Sequence, residues 1–317
     1  MKLIYATLFL FVFCLIGCGT EPDNTGSQKK SEKIKIGYIP IADCSQIFIA
    51  QEKGFFKDEG LDIELVSFQG GPQILEALGG GSINIGFSNL VSLALANEKG
   101  IDFRAITGGP VEEANHIENA ILVSKNSNIK SAQDLTGKKI AINAKKNIIE
   151  LMVKEYLRKY NVDINSIQFV EAKFPEMQNA LKANQVDAIA IIEPFVTVAL
   201  KDTSIVKLAN YINDVIPRLE ISSYHSSLKW IDANHETIKK FQNAMSVATK
   251  YCLENPDEVK KTLTIYSKVE PKILNEAMMP TFIDKISEDN FQVLIEKMKR
   301  DSMLVKDIVA KDLIYIN

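Results

Sequence analysis

The chain has 317 residues, 46% of them hydrophobic, and its 37 Lys and Arg against 40 Asp and Glu leave a formal net charge of −3. Acids and bases are interspersed, so no basic stripe exists to follow a phosphate backbone, and nucleic acid is excluded as a partner.

In chain order, Lys2 gives one positive charge ahead of residues 3–16, which are nearly all apolar. That run is shorter than the roughly 20 residues a membrane-spanning helix needs, and it fits the apolar region of a secretory signal. Leu15-Ile16-Gly17-Cys18 then sets a small residue before a cysteine, a pattern that resembles the bacterial lipobox, in which the new N-terminal thiol is lipidated. Residues 1–17 are therefore expected to be a lipoprotein signal peptide and Cys18 the lipidation site. Acyl chains there would hold the protein on a membrane surface by about 0.8 kcal/mol per buried methylene. Residues 18–33 are Gly, Ser, Thr, Pro and charges with nothing to bury, and read as a flexible linker. Cys14 leaves with the signal, so Cys44 and Cys252 remain in the folded part. Two cysteines so far apart make no disulfide framework, and spacing does not settle whether they pair.

From residue 34 the order of elements recurs. The first copy reads strand "KIKIGYIP", helix "SQIFIAQEKGFFKDEG", strand "LDIELVSF", helix "GPQILEALGGG", strand "INIGFSN". The second reads strand "KKIAINA", helix "NIIELMVKEYLRKYN", strand "INSIQFVEA", helix "FPEMQNALKANQ", strand "VDAIAIIEP". Ile36 aligns with Ile140, Gly37 with Ala141, Ile63 with Ile167, Val66 with Val170 and Leu78 with Leu181, at an offset of 103 to 104. Strands are short apolar runs, and helices repeat apolar residues at i, i+3 and i+4, as in Ile149, Met152, Val153, Tyr156 and Leu157. Alternating strands and helices build a mainly parallel sheet covered on both faces, so two copies predict two α/β lobes.

Between the copies, "NAILVSK" reads as a strand crossing to the second lobe, and "RLEISSYHSSLKW" supplies the return. Hinges are expected near Leu122 to Ser124 and Ile221 to Tyr224. Residues 232–317 show helix starts at Asn234 and at Asn255-Pro256 and no strand pattern, and are expected to pack on the first lobe. The expected division is 34–122 with 224–317 as lobe 1, and 123–223 as lobe 2.

Ligands of open parallel sheets bind outside the carboxyl ends of the strands, beside helix N-termini. After the first strand come Tyr38, Asp43, Cys44 and Ser45. Asp43 could equally start a helix as a capping box with Gln46. After the second come Gln69, Gly70 and Gly71, which suit either close approach to a ligand or a bare turn, and after the third Ser88 and Asn89. The second lobe offers Asn143, Lys145 and Asn147, then Phe174, then Glu193 and Phe195. Glu193 needs a partner at its strand end, which could be a ligand donor or a backbone N–H. Of His116, His225 and His235, none has metal-ligand spacing; His116 lies in a loop that could overhang the cleft. A sulfonate or nitrate would call for N–H groups, hydroxyls and Lys145, Lys146 or Arg104. Asp43 and Glu193 together would suit an amine stacked on Tyr38, Phe174 or Phe195.

The runs "GYIP…IAQEKGFFKDEGLDIELVSFQGG…EALGGGSINIGFSN" and "DAIAIIEPF" resemble solute-binding proteins of ABC importers, in the branch that binds aliphatic sulfonates, taurine, nitrate or thiamine pyrimidine precursors. The resemblance spans nearly the whole mature chain. It implies an α/β, two-lobe type II periplasmic-binding-protein fold that closes on a small molecule and delivers it to a membrane permease. It also implies that the loops at Asp43 to Ser45, Gln69 to Gly71, Ser88 to Asn89, Asn143 to Asn147 and Glu193 to Phe195 form the pocket. On this reading the protein is an exported, lipid-anchored monomer without cofactor, metal or catalytic residues.

Two other readings compete. A pyrimidine synthase of thiamine biosynthesis is similar to this family, but its cysteine-rich motif after a histidine is missing here, as are G-x-S-x-G, H-E-x-x-H and a Walker loop. A receptor or adhesion lipoprotein would explain the anchor but not the duplicated units.

Overall fold

In the computed structural model, which describes residues 33–316, two five-stranded sheets organise the chain. The signal segment, Cys18 and most of the linker lie outside the described residues. The first half runs β1 (Ile34–Tyr38), α1 (Ser45–Glu52), α2 (Phe55–Asp58), β2 (Ile63–Ser67), α3 (Gly71–Gly79), β3 (Ile85–Asn89), α4 (Leu90–Glu98), β4 (Phe103–Thr107), β5 (Pro110–Glu113) and β6 (Asn119–Ser124). The second runs β7 (Lys139–Ile142), α5 (Ile148–Lys159), β8 (Gln168–Glu171), α6 (Phe174–Lys182), β9 (Ala188–Ile192), α7 (Phe195–Leu200) and β10 (Ile205–Ala209). β11 (Arg218–Glu220) and β12 (Ser222–Ser227) turn back. Then come α8 (Leu228–Ala233), α9 (His235–Glu254), α10 (Pro256–Tyr266), α11 (Pro271–Leu274), β13 (Thr281–Phe282) and α12 (Glu288–Arg300).

The sheet orders are β2-β1-β3-β12-β4 and β10-β6-β9-β7-β8. Each half lends one strand to the other's sheet. β12 runs antiparallel between β3 and β4, and β6 antiparallel between β9 and β10. The sequence repeat is also a repeat of register. Gly37 pairs with Val66 and Gly86, and Ala141 pairs with Val170 and Ile189. The first-lobe glycine pair has a packing reason: a Cβ at Gly86 would stand 2.5 Å from Cγ2 of Ile74 on α3, and one at Gly37 2.7 Å from Cδ1 of Ile83.

A small sheet of order β11-β5-β13 lies at the crossings. The chain changes sheets within residues 114–118 and again at Ile221. Leu122 is already paired with Ile189 and Lys207 inside the second sheet. The reason is compositional: Asn119–Ser124 is strand, buried through Val123, and the break falls in the polar "ANHIE" before it.

Several elements depart from the sequence expectation. The first helix divides at Gly54, which adopts a left-handed φ of 82°. β4 and β10, unpredicted, are edge strands whose apolar runs are interrupted by Arg104 and Lys207. The tail does contain a short strand, β13. Asn234 and Asn255 stand at the predicted helix starts, but their side-chain amides donate to Trp230 O and Tyr251 O at 2.8 and 3.0 Å, closing the preceding helix instead of capping the next.

The tail packs largely on the first lobe, with α9 and α10 against α1. α12 touches both lobes, lying against α4 and α5. There the buried carboxylate of Glu155 on α5 pairs with Arg158, Lys297 and Arg300, and that of Asp301 with Lys154 and Arg158.

Candidate ligand-binding cleft

The carboxyl ends of both sets of parallel strands meet at a narrow cavity of about 30 Å³. Ile39, Ile41, Asp43, Gly71, Phe87 and Asn89 line it from the first lobe. From the second come Asn119, Asn143, Asn147, Ile148, Phe174 and Ile192, with Ile221 and Ser222 at the return crossing. Such a volume has room for about two waters, so an organic solute can enter only if the lobes part.

Four helices begin at this cavity. Asn89 caps α4 by accepting from Ser92 N at 2.9 Å, and Asn147 caps α5 by accepting from Glu150 N at 3.1 Å. The Asn147 amide also donates to Asn143 Oδ1 at 2.8 Å. Gly71 opens α3 and Phe174 opens α6. The unpaired N–H groups and positive dipole ends of these first turns favour an electron-rich group in the cavity. No lysine or arginine among the described residues lines it.

The glycines at the start of α3 answer to crowding. A Cβ at Gly71 would fall 2.3 Å from Ser88 Oγ and 3.0 Å from Asn89 Nδ2, and one at Gly70 would fall 3.2 Å from Asn143 Nδ2 of the opposite lobe.

Asp43 does not cap α1, which starts at Ser45 after a tight turn over Ala42–Cys44. Its carboxyl is buried beside that of Glu118. Burial pushes Asp43 up to about 6, with the Glu118 contact opposing. Burial raises Glu118 well above the ordinary carboxylate range, reinforced by the charge of Asp43. Glu112 is also buried and pushed up to about 7, although its Oε2 accepts from Asn119 N at 2.9 Å and Asn119 Nδ2 at 2.8 Å.

Asp43, Gly71, Asn89, Asn143 and Phe174, singled out in the sequence, thus come together in the cavity wall. Phe195 stands behind, stacked on Phe174 with centroids 6.0 Å apart. Tyr38 and Ser45 serve the docking of the tail: Ser45 Oγ bonds the Tyr266 hydroxyl at 2.8 Å, and Tyr38 meets the Phe48 and Tyr266 rings edge-on. Glu193 accepts from Thr197 N at 3.0 Å, Thr197 Oγ1 at 2.8 Å and Met278 N at 3.3 Å, so its partners are protein groups. Lys145 and Gln69 are exposed, Gly70 is buried against Asn143, and Ser88 is buried behind Gly71. The half-buried ring of His116 holds Met279 O at 3.0 Å. Cys44 and Cys252 are free and buried, and burial pushes Cys252 up to about 12.

Asn119, Glu112, Glu118 and Ser222 went unnoticed in the sequence. The strand-end rule looks to the carboxyl ends of parallel strands, whereas β6 and β12 run antiparallel and bring their amino ends to the cleft. The "NAILVSK" strand already carried that signal in its first residue.

This architecture is the two-lobe periplasmic-binding-protein fold. The alkanesulfonate-binding protein SsuA from Xanthomonas axonopodis pv. citri bound to MOPS superimposes with a TM-score of 0.76, covering 89% of this chain and 98% of that one at 23% identity. The family model described as NMT1/THI5 like matches residues 42–259, and the chain belongs to that family. A protein of Bacillus subtilis (strain 168), provisionally named an aliphatic sulfonates-binding protein, is 25% identical over 324 aligned positions, covering 99% of this chain and 87% of its own. The formylaminopyrimidine-binding protein of Halalkalibacterium halodurans is 20% identical over 298, covering 92% and 85%.

Proposed function

We propose that this protein captures a small organic solute between its lobes and hands it to an ABC permease. The observation that carries this is the cavity walled from both lobes by the starts of four helices, in a chain whose lobes exchange β6 and β12. Strand exchange lets each lobe move as a body, and closure brings Asn89 and Asn143 to the same solute. Relatives named as binding proteins for sulfonates and for formylaminopyrimidine support the reading.

Under this proposal the lobes follow the expected division, 34–122 with 224–317 and 123–223, except that the boundaries move to the crossings at 114–118 and Ile221, which puts β6 in the second lobe and β12 in the first. The protein is exported as a monomer and held on the outer face of the membrane by lipid at Cys18, which keeps it beside its permease. A nucleophile is not required, since capture needs a hinge and a cleft only.

A thermal-shift screen against taurine, alkanesulfonates, nitrate and aminopyrimidines tests the reading. A solute at 100 times its dissociation constant adds about 2.7 kcal/mol, enough to move the melting point by a few degrees. The stabilising compound should be recovered chemically unchanged, and Asn143→Ala should abolish the shift while retaining the fold. Conversion of the compound would point to an enzyme on this scaffold instead.

A further inference from the structure

Three acids are buried together at one wall of the cavity. Asp43 lines it and is 1% exposed, with Glu118 at 1% and Glu112 at 0% behind. Glu112 Oε2 is satisfied by Glu118 N, Asn119 N and Asn119 Nδ2 at 3.3, 2.9 and 2.8 Å. Asp43 Oδ1, both oxygens of Glu118 and Glu112 Oε1 find no donor among the described residues. The nearby Tyr211 hydroxyl goes to Asn119 Oδ1 at 3.0 Å and not to a carboxyl.

Leaving buried carboxyl oxygens without donors costs the fold several kcal/mol, and apolar side chains of the same volume would pack there without that cost. Two carboxyls in contact can bond each other only by sharing a proton, and they still present surplus acceptors. The ring of helix starts supplies N–H groups at the mouths of α3 to α6, which favour an acidic or oxygen-rich group on the solute. Asp43 alone gives the wall negative charge. No group of His, Cys, Asp and Glu among the described residues has the arrangement to hold a metal ion, so the donor that fits is an N–H group.

We propose that Asp43, with Glu118 behind it, is the subsite for a positively charged nitrogen of the solute, an ammonium or amidinium. The solute is then an organic cation or a zwitterion, not a simple inorganic anion. This assignment rests on reading the cleft as a solute site.

The test incubates the protein with two defined mixtures and reads retained compounds by native mass spectrometry. One holds taurine, amino acids, ethanolamine, agmatine and an aminomethylpyrimidine. The other holds amine-free counterparts: ethanesulfonate, carboxylic acids, ethanol, nitrate and a methylpyrimidine. Retention from the first mixture only is expected, with the retained compound weakened at least about tenfold by Asp43→Asn. Equal or tighter retention from the amine-free mixture would overturn the subsite while leaving solute capture intact. Unchanged affinity in a folded Asp43→Asn variant would overturn it too. Retention of nothing from either mixture would defeat both the subsite and the capture reading. The wild-type split between mixtures decides the matter even where a variant fails to fold.

Discussion

Gly70, just before α3 in the first lobe, and Asn143, at the end of β7 in the second, stand so close that a Cβ on Gly70 would lie 3.2 Å from the Asn143 amide nitrogen. Gly70 has an extended backbone, so its glycine identity answers to crowding, from Gln73 Oε1 of its own lobe at 3.1 Å as well as from the opposite lobe, and not to a turn. Gly70→Leu should hold the lobes apart and weaken solute binding about tenfold or more, with little change in melting temperature. Calorimetric titration beside thermal unfolding checks this; an unchanged affinity would remove Gly70 from the closure contact.

Glu193 and Asp43 should separate cleanly. The Glu193 carboxylate already takes three bonds, from Thr197 N, Thr197 Oγ1 and Met278 N. Glu193→Gln should therefore lower stability by about 1–2 kcal/mol and shift solute affinity less than twofold. A denaturant titration and a binding isotherm on the same preparation measure both effects.

Glu112 predicts a pH slope. Its folded carboxyl is raised by burial from 4.5 to about 7, so the folded state keeps a proton that the unfolded chain has released. Stability from this group is complete below about 4.5 and is lost as pH rises through about 7. Asp43 acts in the same direction between 3.8 and about 6. Glu112→Gln should flatten the decline by on the order of 3 kcal/mol between those limits, read from unfolding free energies at stepped pH.

The α5–α12 contact predicts the opposite sign. Burial alone would raise Glu155, but the bonds from Arg300 and Lys297 overcome it and hold the carboxyl below its ordinary 4.5. Its stabilisation is present above that value and lost as pH falls below it. Glu155→Gln should cost about 1–2 kcal/mol near neutral pH, discounted because Arg300 is half in solvent. The cost should shrink in high salt.

The fold was legible where pattern and burial coincide. The Ile36–Ile140 and Val66–Val170 correspondences marked duplicated strands because those strands are covered on both faces and must be apolar. Edge strands β4 and β10 escaped because Arg104 and Lys207 can point to water there. Within the cleft, Asn89 and Asn143 could be found from helix starts after parallel strands. Glu112 and Glu118 could not, since their meeting with Asp43 depends on a crossing between lobes, and nothing in "PVEEANHIEN" announces which acids turn inward.

Closure on a solute is most directly tested by the distance between lobes. Both native cysteines of the described residues are buried, so dyes can be placed at exposed positions by Lys57→Cys on the first lobe and Gln185→Cys on the second, in the chain from residue 33 onward. Energy transfer between single dye pairs is followed while the stabilising solute is titrated. The account predicts a saturable shift to higher transfer, with a midpoint equal to the binding constant and lost in Asn143→Ala. Transfer that stays constant while solute binds would contradict capture between the lobes.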